Sequence, residues 1–248
     1  MLTRPTTDPY SGWSYGESAD AVADVFASPD RDTGLPVLVL VHGGYWRPEY
    51  DRAHLRPTAA ALARRGHLVV SLEYRRIPGD PDATTSDIKT ALAALPGLLA
   101  RHGVAADRDV LLVGHSAGGH LALWAATHAA SRIRACVALA PVANLLEAQR
   151  LDLDDGAVTA FLGCPADARP DLDPTRCHAP AVPVTVIHGA RDTLVPVALA
   201  LSYAHARARD ADTRLVVVPD AAHFELIDPW SPSWAIVLDE LDRWRPPA

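Results

Sequence analysis

Gly114-His115-Ser116-Ala117-Gly118 sets a serine between two small residues at the spacing G-x-S-x-G. That spacing suits a sharp turn from strand to helix. Small residues two positions to either side let the two elements approach, and the serine hydroxyl is left standing above the turn. At a helix N-terminus the backbone N–H groups also face any negative charge that develops beside the serine. A glycine-rich turn with an incidental serine can show the same bare pentapeptide, so the surroundings decide. Here an apolar run at positions 110–113 leads in and an Ala/Leu-rich stretch leads out, which is the context the motif requires. Ser116 is thereby a candidate nucleophile.

A serine attacking a carbonyl builds charge on oxygen, and backbone N–H donors must reach that oxygen unobstructed. His42-Gly43-Gly44-Tyr45-Trp46 supplies paired glycines directly after an apolar run. The amides of Gly44 and Ala117 are the candidate donors, with Gly43 or Tyr45 as a further contributor. His42 and His115 both sit beside glycine in these motifs and are read as orienting backbone rather than as bases.

The serine also needs a neutral imidazole to take its proton, and the imidazole needs a carboxylate to hold its tautomer. With a nucleophile on a strand-to-helix elbow, the acid and then the base follow it along the chain. The apolar run 184–188 leads into Gly189-Ala190-Arg191-Asp192, so Asp192 is the candidate acid. The run 214–218 ends in Pro219-Asp220-Ala221-Ala222-His223-Phe224, and His223 is the sole histidine beyond it. Asp220 is a rival acid, but it lies three residues from His223 and is expected to shape the loop. Asp171 and Asp173 are expected to be solvated.

These residues need a frame. Strand-like runs at 36–42, 67–74, 109–113, 134–140, 183–188 and 214–218 alternate with helical segments at 54–65, 84–102 and 117–130. Gly66 is placed to end the first helix, and Thr85 or Ser86 to cap the second. Val195-Pro196 opens a further helix. The alternation predicts an α/β fold: one domain over residues 1–248, with a mostly parallel central sheet and helices on both faces. Residues 144–180, rich in Asp and Pro, interrupt it with one helix at about 155–162 ended by Gly163. They are read either as a small cap over the strand ends or as a solvated connection.

Composition narrows the function classes. At 248 residues, 49% apolar and 21% charged, the chain has room for one sizeable core. The net charge of −7 and scattered arginines argue against nucleic-acid binding. Residues 1–20 hold no apolar signal segment, and no run reaches the length of a membrane span. Three widely spaced cysteines, Cys136, Cys164 and Cys177, suggest neither a disulfide framework nor a metal site. A cytoplasmic, metal-free and cofactor-free protein acting on a small molecule is expected, with no membrane partner. Its oligomeric state is not set by any motif.

Together, HGGYW at 42–46 and GHSAGGH at 114–120 resemble the kynurenine formamidase (arylformamidase) group of α/β-hydrolases and neighbouring small bacterial esterases. The likeness continues through Glu73-Tyr74-Arg75-Arg76, His188-Gly189-Ala190-Arg191-Asp192 and His223-Phe224. It implies an α/β-hydrolase fold with Ser116, Asp192 and His223 as triad, Gly43, Gly44 and Ala117 around the oxyanion, and no metal. Gly119 departs from that group, which tends to carry alanine there. Tyr45, Trp46, Tyr74 and Phe224 are candidate substrate-binding aromatics, whereas Trp124, Trp230 and Trp234 are read as packing residues. Arg47 is either a partner for a substrate carboxylate or a solvated loop residue. The expected activity is removal of a small acyl group, formyl or acetyl, from an aryl amide or ester. The alternatives are a general short-chain carboxylesterase and a non-catalytic ligand-binding protein on the same fold.

Overall fold

The computed structural model describes residues 8–28, 33–128, 133–210 and 212–246. Its centre is the strand Val37–Val41 (β3), five β-branched or leucine residues that are all buried. A strand covered on both faces should read in this way. Val37, Val39 and Val41 enter one apolar cluster and Leu38 and Leu40 enter another, so the two-residue period feeds two cores.

Eight strands form one sheet: Ser11–Ser14 (β1), Val22–Phe26 (β2), β3, Val69–Leu72 (β4), Val110–His115 (β5), Ile133–Leu139 (β6), Val184–Gly189 (β7) and Thr213–Val218 (β8). Their order is β1-β2-β4-β3-β5-β6-β7-β8. From β4 to β8 every pairing is parallel, while β1 and β2 add antiparallel at one edge. These two edge strands fall in a stretch where no strand was expected. Each is short, and β2 carries Asp24 in its middle. That carboxylate is buried and receives Arg52 and Arg56, each at 2.9 Å, a tertiary pairing that local pattern does not reveal.

The helices Arg56–Arg64 (α1) and Trp234–Asp242 (α7) bury their apolar residues in the Leu38/Leu40 core. Pro81–Arg101 (α2) and Ala117–Thr127 (α3) pack into the Val37/Val39/Val41 core, as does Ala198–Ala206 (α6). α7 was not anticipated. The cap of α2 is also corrected. Asp80, not Thr85 or Ser86, accepts the Ala83 N–H, and Pro81 takes the first turn, where its missing N–H costs nothing. Thr84 and Thr85 lie buried inside the helix. α3 ends at Thr127 with His128 as its C-cap; residues 129–130, which the expected helix also included, lie outside the described residues.

The interrupting segment holds Leu145–Arg150 (α4), Ala157–Leu162 (α5) and two 3-10 turns. Asn144 caps α4, accepting the Glu147 N–H at 2.9 Å. α3 fastens the segment: His120 Nε2 donates to the Leu172 carbonyl (2.8 Å) and Trp124 Nε1 to the Asp171 carbonyl (3.1 Å). Asp173, expected in solvent, is fully buried. Its carboxylate accepts the Leu146 and Thr175 N–H groups and the Thr175 hydroxyl. The three cysteines are free, and among the described residues no helix is long and apolar enough to cross a membrane.

Candidate active site

β5 runs straight into Ser116, whose backbone turns to φ 57°, ψ −120° before α3 begins. Non-glycine residues rarely occupy this region, and surrounding structure must enforce it. The enforcement is visible at the flanking glycines. A Cβ on Gly118 would come within 2.3 Å of the Val41 and His42 carbonyl oxygens, and one on Gly114 would come 2.1 Å from the Gly118 carbonyl oxygen. At Gly119 a Cβ would meet Pro141 Cβ at 2.8 Å, so here the proline fills the space that an alanine would need.

The strand ends of β7 and β8 deliver Asp192 and His223, the candidate acid and base. His223 Nδ1 lies 2.6 Å from Asp192 Oδ2. Both side chains are buried, and the bond fixes the proton on Nδ1, leaving Nε2 as the acceptor. Asp192 Oδ1 accepts the Leu194 and Val195 N–H groups at 2.9 and 2.8 Å. His188 Nε2 donates to the Val195 carbonyl (2.8 Å) and lies 3.4 Å from Asp192 Oδ2. Burial alone would favour the protonated acid. The hydrogen bonds from His188, His223 and Val195 overcome it and hold Asp192 below the ordinary carboxylate range. Asp220 is exposed and paired with Arg191, so it does not compete.

Ser116 and His223 face one cavity of about 270 Å³, lined also by Gly44, Tyr45, Tyr50, His54, His115, Asp154, Leu194 and Phe224. Gly43 packs directly over the serine; a Cβ there would come 2.9 Å from Ser116 Cβ. Gly44 takes φ 107°, followed by Tyr45 and Trp46 at 49° and 56°, three consecutive left-handed residues that fold the loop back over the strand end. The Ala117 amide, first in α3, has no partner within its own helix. An attacked carbonyl oxygen placed between these amides would be stabilised as charge develops.

The two histidines read as backbone-orienting do so. His42 donates from Nδ1 to the Gly43 carbonyl (2.7 Å), and Nε2 meets Glu73 (2.8 Å) and Arg76 (3.2 Å). Burial, with Arg76 alongside, lowers its pKa to about 3. His115 Nε2 donates to the His223 carbonyl (3.1 Å), tying the elbow to the base.

The four aromatics separate. Tyr45 and Phe224 line the cavity. Tyr74 does not: it is fully buried, stacked on the His42 ring at 4.3 Å, and its hydroxyl donates to the His42 carbonyl at 2.8 Å. Trp46 is likewise buried, stacked on Phe161 of α5 at 4.5 Å. Neither borders the opening. Arg47 is a part-exposed loop residue engaged by an acid; its Nε lies 2.5 Å from Asp154 Oδ2. Trp124 and Trp234 pack as expected, but Trp230 is 54% exposed. Tyr50, His54, Asp154 and Leu194 were not singled out beforehand, since none belongs to a motif and folding alone gathers them. Among the described residues no group of three or more His, Cys, Asp or Glu side chains could hold a metal ion.

A parallel sheet whose strand ends present an elbow serine, a glycine loop, an acid and a histidine defines an α/β-hydrolase. The chain belongs to the BD-FAE family, which it matches over residues 23–206. It is similar to "Probable carboxylic ester hydrolase LipM" of Mycobacterium tuberculosis, with 33% identity over 213 residues covering 74% of this chain and 48% of that protein. It is also similar to "Kynurenine formamidase" of Danio rerio, with 28% identity over 109 residues, 44% of this chain and 35% of that one. Among solved structures, esterase B from Lactobacillus rhamnosis superposes with a TM-score of 0.79 at 23% identity, over 97% of this chain and 87% of that one. The chain spans about half the length of the first curated relatives it matches, 48% and 53%.

Proposed function

We propose that this protein is a metal-independent serine esterase of short acyl groups, with Ser116 as nucleophile, His223 as general base and Asp192 as the group that orients it. The observation that carries the reading is the buried 2.6 Å bond from His223 to Asp192 in a cavity shared with Ser116. In the first half-reaction the Ser116 hydroxyl proton passes to His223 Nε2 as Oγ bonds the acyl carbon. The amides of Gly44 and Ala117 hold the oxyanion, and His223 then returns the proton to the departing alcohol. Water repeats the sequence and releases the acid and free Ser116. The relatives named as ester hydrolases support this chemistry.

A second reading within the same mechanism is removal of formyl from an arylamine. It is favoured by the likeness to proteins named kynurenine formamidase and by the aromatic cavity walls, Tyr45 and Phe224. The test compares kcat/KM for p-nitrophenyl acetate, butyrate and octanoate with that for N-formylkynurenine, with and without EDTA. We expect acetate to exceed octanoate and EDTA to change nothing. Octanoate as the best substrate overturns the short-acyl reading. Loss of rate with EDTA, restored by zinc, overturns the metal-independent mechanism. Acetate cleaved with N-formylkynurenine ignored removes the formamidase reading alone.

A further inference from the structure

His54 lines the cavity beside Ser116 and His223. It sits on the 3-10 turn Arg52–Leu55, where Asp51 caps the start by accepting the Ala53 N–H at 2.8 Å. That turn brings His54 Nδ1 to 2.8 Å from the Asp51 backbone carbonyl. A carbonyl oxygen only accepts, so the proton is on Nδ1 and Nδ1 donates. Burial, reinforced by His42, lowers the ring's pKa to about 4, so at neutral pH it carries one proton only. Nε2 is therefore a bare lone pair. It has no hydrogen-bond partner on the protein among the described residues, and its side chain lines the cavity.

The rest of the cavity wall sharpens the point. Two of its donors are spent on the protein itself: the Tyr45 hydroxyl on the Leu194 carbonyl, and His115 Nε2 on the His223 carbonyl. Of its acceptors, the half-exposed Asp154 carboxylate is engaged by Arg47, whereas His54 Nε2 has no such partner. His54 also feels the charge of His223, the base that must hand a proton to the leaving group, and both line the same cavity.

We propose that His54 Nε2 is a specificity-determining acceptor that reads a hydrogen-bond donor on the leaving group, so that esters of hydroxyl-bearing alcohols are preferred to matched esters without the hydroxyl. This rests on the esterase reading above. An acceptor built into a site is left unpaired when the donor is missing, and the loss is felt more strongly than a change in apolar bulk.

The experiment uses acetates of alkanediols of two to four carbons, each against its methyl ether, which keeps the scissile ester and removes the donor. For the best-fitting chain length, wild type is expected to favour the hydroxyl compound in kcat/KM by about tenfold. His54→Phe and His54→Ala should bring that ratio towards one. His54→Gln, whose amide oxygen can stand near the position of Nε2, should retain part of it. A structural role alone would lower both members of each pair equally and leave the ratio unmoved, which overturns the inference. A wild-type ratio of one or less at every length overturns it without any variant. A wild type that hydrolyses no ester overturns the esterase reading and the inference with it. Hydrolysis of both members with an insensitive ratio removes the inference alone.

Discussion

Ser116 holds its left-handed backbone at a cost of about 1–3 kcal/mol, and its neighbours are what keep it there. Two substitutions separate the hydroxyl from the turn that presents it. Ser116→Ala removes only the hydroxyl, so the fold should survive while kcat falls by about 10³-fold or more. A fluorophosphonate probe should label wild type and not this variant, and retained labelling would place the nucleophile elsewhere. Gly118→Ala does the reverse. Its methyl would enter the space of the Val41 and His42 carbonyls, both backbone atoms that cannot rotate away. The elbow must shift, at a cost of about 1–3 kcal/mol or more, with activity falling although all three reacting residues remain. A urea midpoint equal to that of wild type would show that the close approach is not needed.

At the scale of elements, the site is an agreement between loops that are far apart in the chain. The Tyr45 hydroxyl donates to the Leu194 carbonyl at 2.6 Å, joining the oxyanion loop to the loop whose amides hold Asp192. Tyr45→Phe should lower stability by about 1 kcal/mol. It should also lower kcat by about two- to tenfold, because the loop that orients His223 is freed. Urea titration and steady-state kinetics on the same preparation check both, and a loss of stability with kcat intact would mean the loops act independently. Such cross-chain ties also explain what could be read beforehand. The grouping of Ser116, Asp192 and His223 was legible because each follows an apolar run at a strand end, a local pattern. The strands from β3 to β8 were legible for the same reason. β1 and β2 were not, because Asp24 interrupts the apolar pattern and its arginine partners come from residues 52 and 56. Tyr74 and Trp46 could be placed near the site but not on the right side of it. Whether an aromatic beside a glycine loop faces the opening or lies beneath depends on what it stacks against, here His42 and Phe161.

Across the whole molecule, the buried histidines set the acid limit. Burial is the largest cause of depression at His42, His54 and His120, bringing them to about 3, 4 and 4 from an ordinary value of 6.5. His115 is lowered well below it for the same first reason. When the chain unfolds, each returns to its ordinary range and takes up a proton that the folded state refuses. Stability is therefore complete above about pH 6.5 and falls as pH drops from there toward the folded values. Each such proton contributes a slope of about 1.4 kcal/mol per pH unit. Asp192 acts in a different window. Its folded pKa is below the ordinary 3.8, so its contribution is lost only as pH falls beneath that value. The urea midpoint should accordingly be flat from pH 8 to 7, then drop steeply between pH 6 and 4.5, before any carboxylate in the site is protonated. His120→Gln isolates one group, because its amide can still donate to the Leu172 carbonyl without titrating. That variant should lose some stability at pH 7.5 yet show a shallower slope, by about one proton, below pH 6. A midpoint independent of pH between 7 and 5 would mean that these rings exchange protons equally in both states. A slope unchanged in His120→Gln would remove that ring from the acid limit and leave it to His42, His54 and His115.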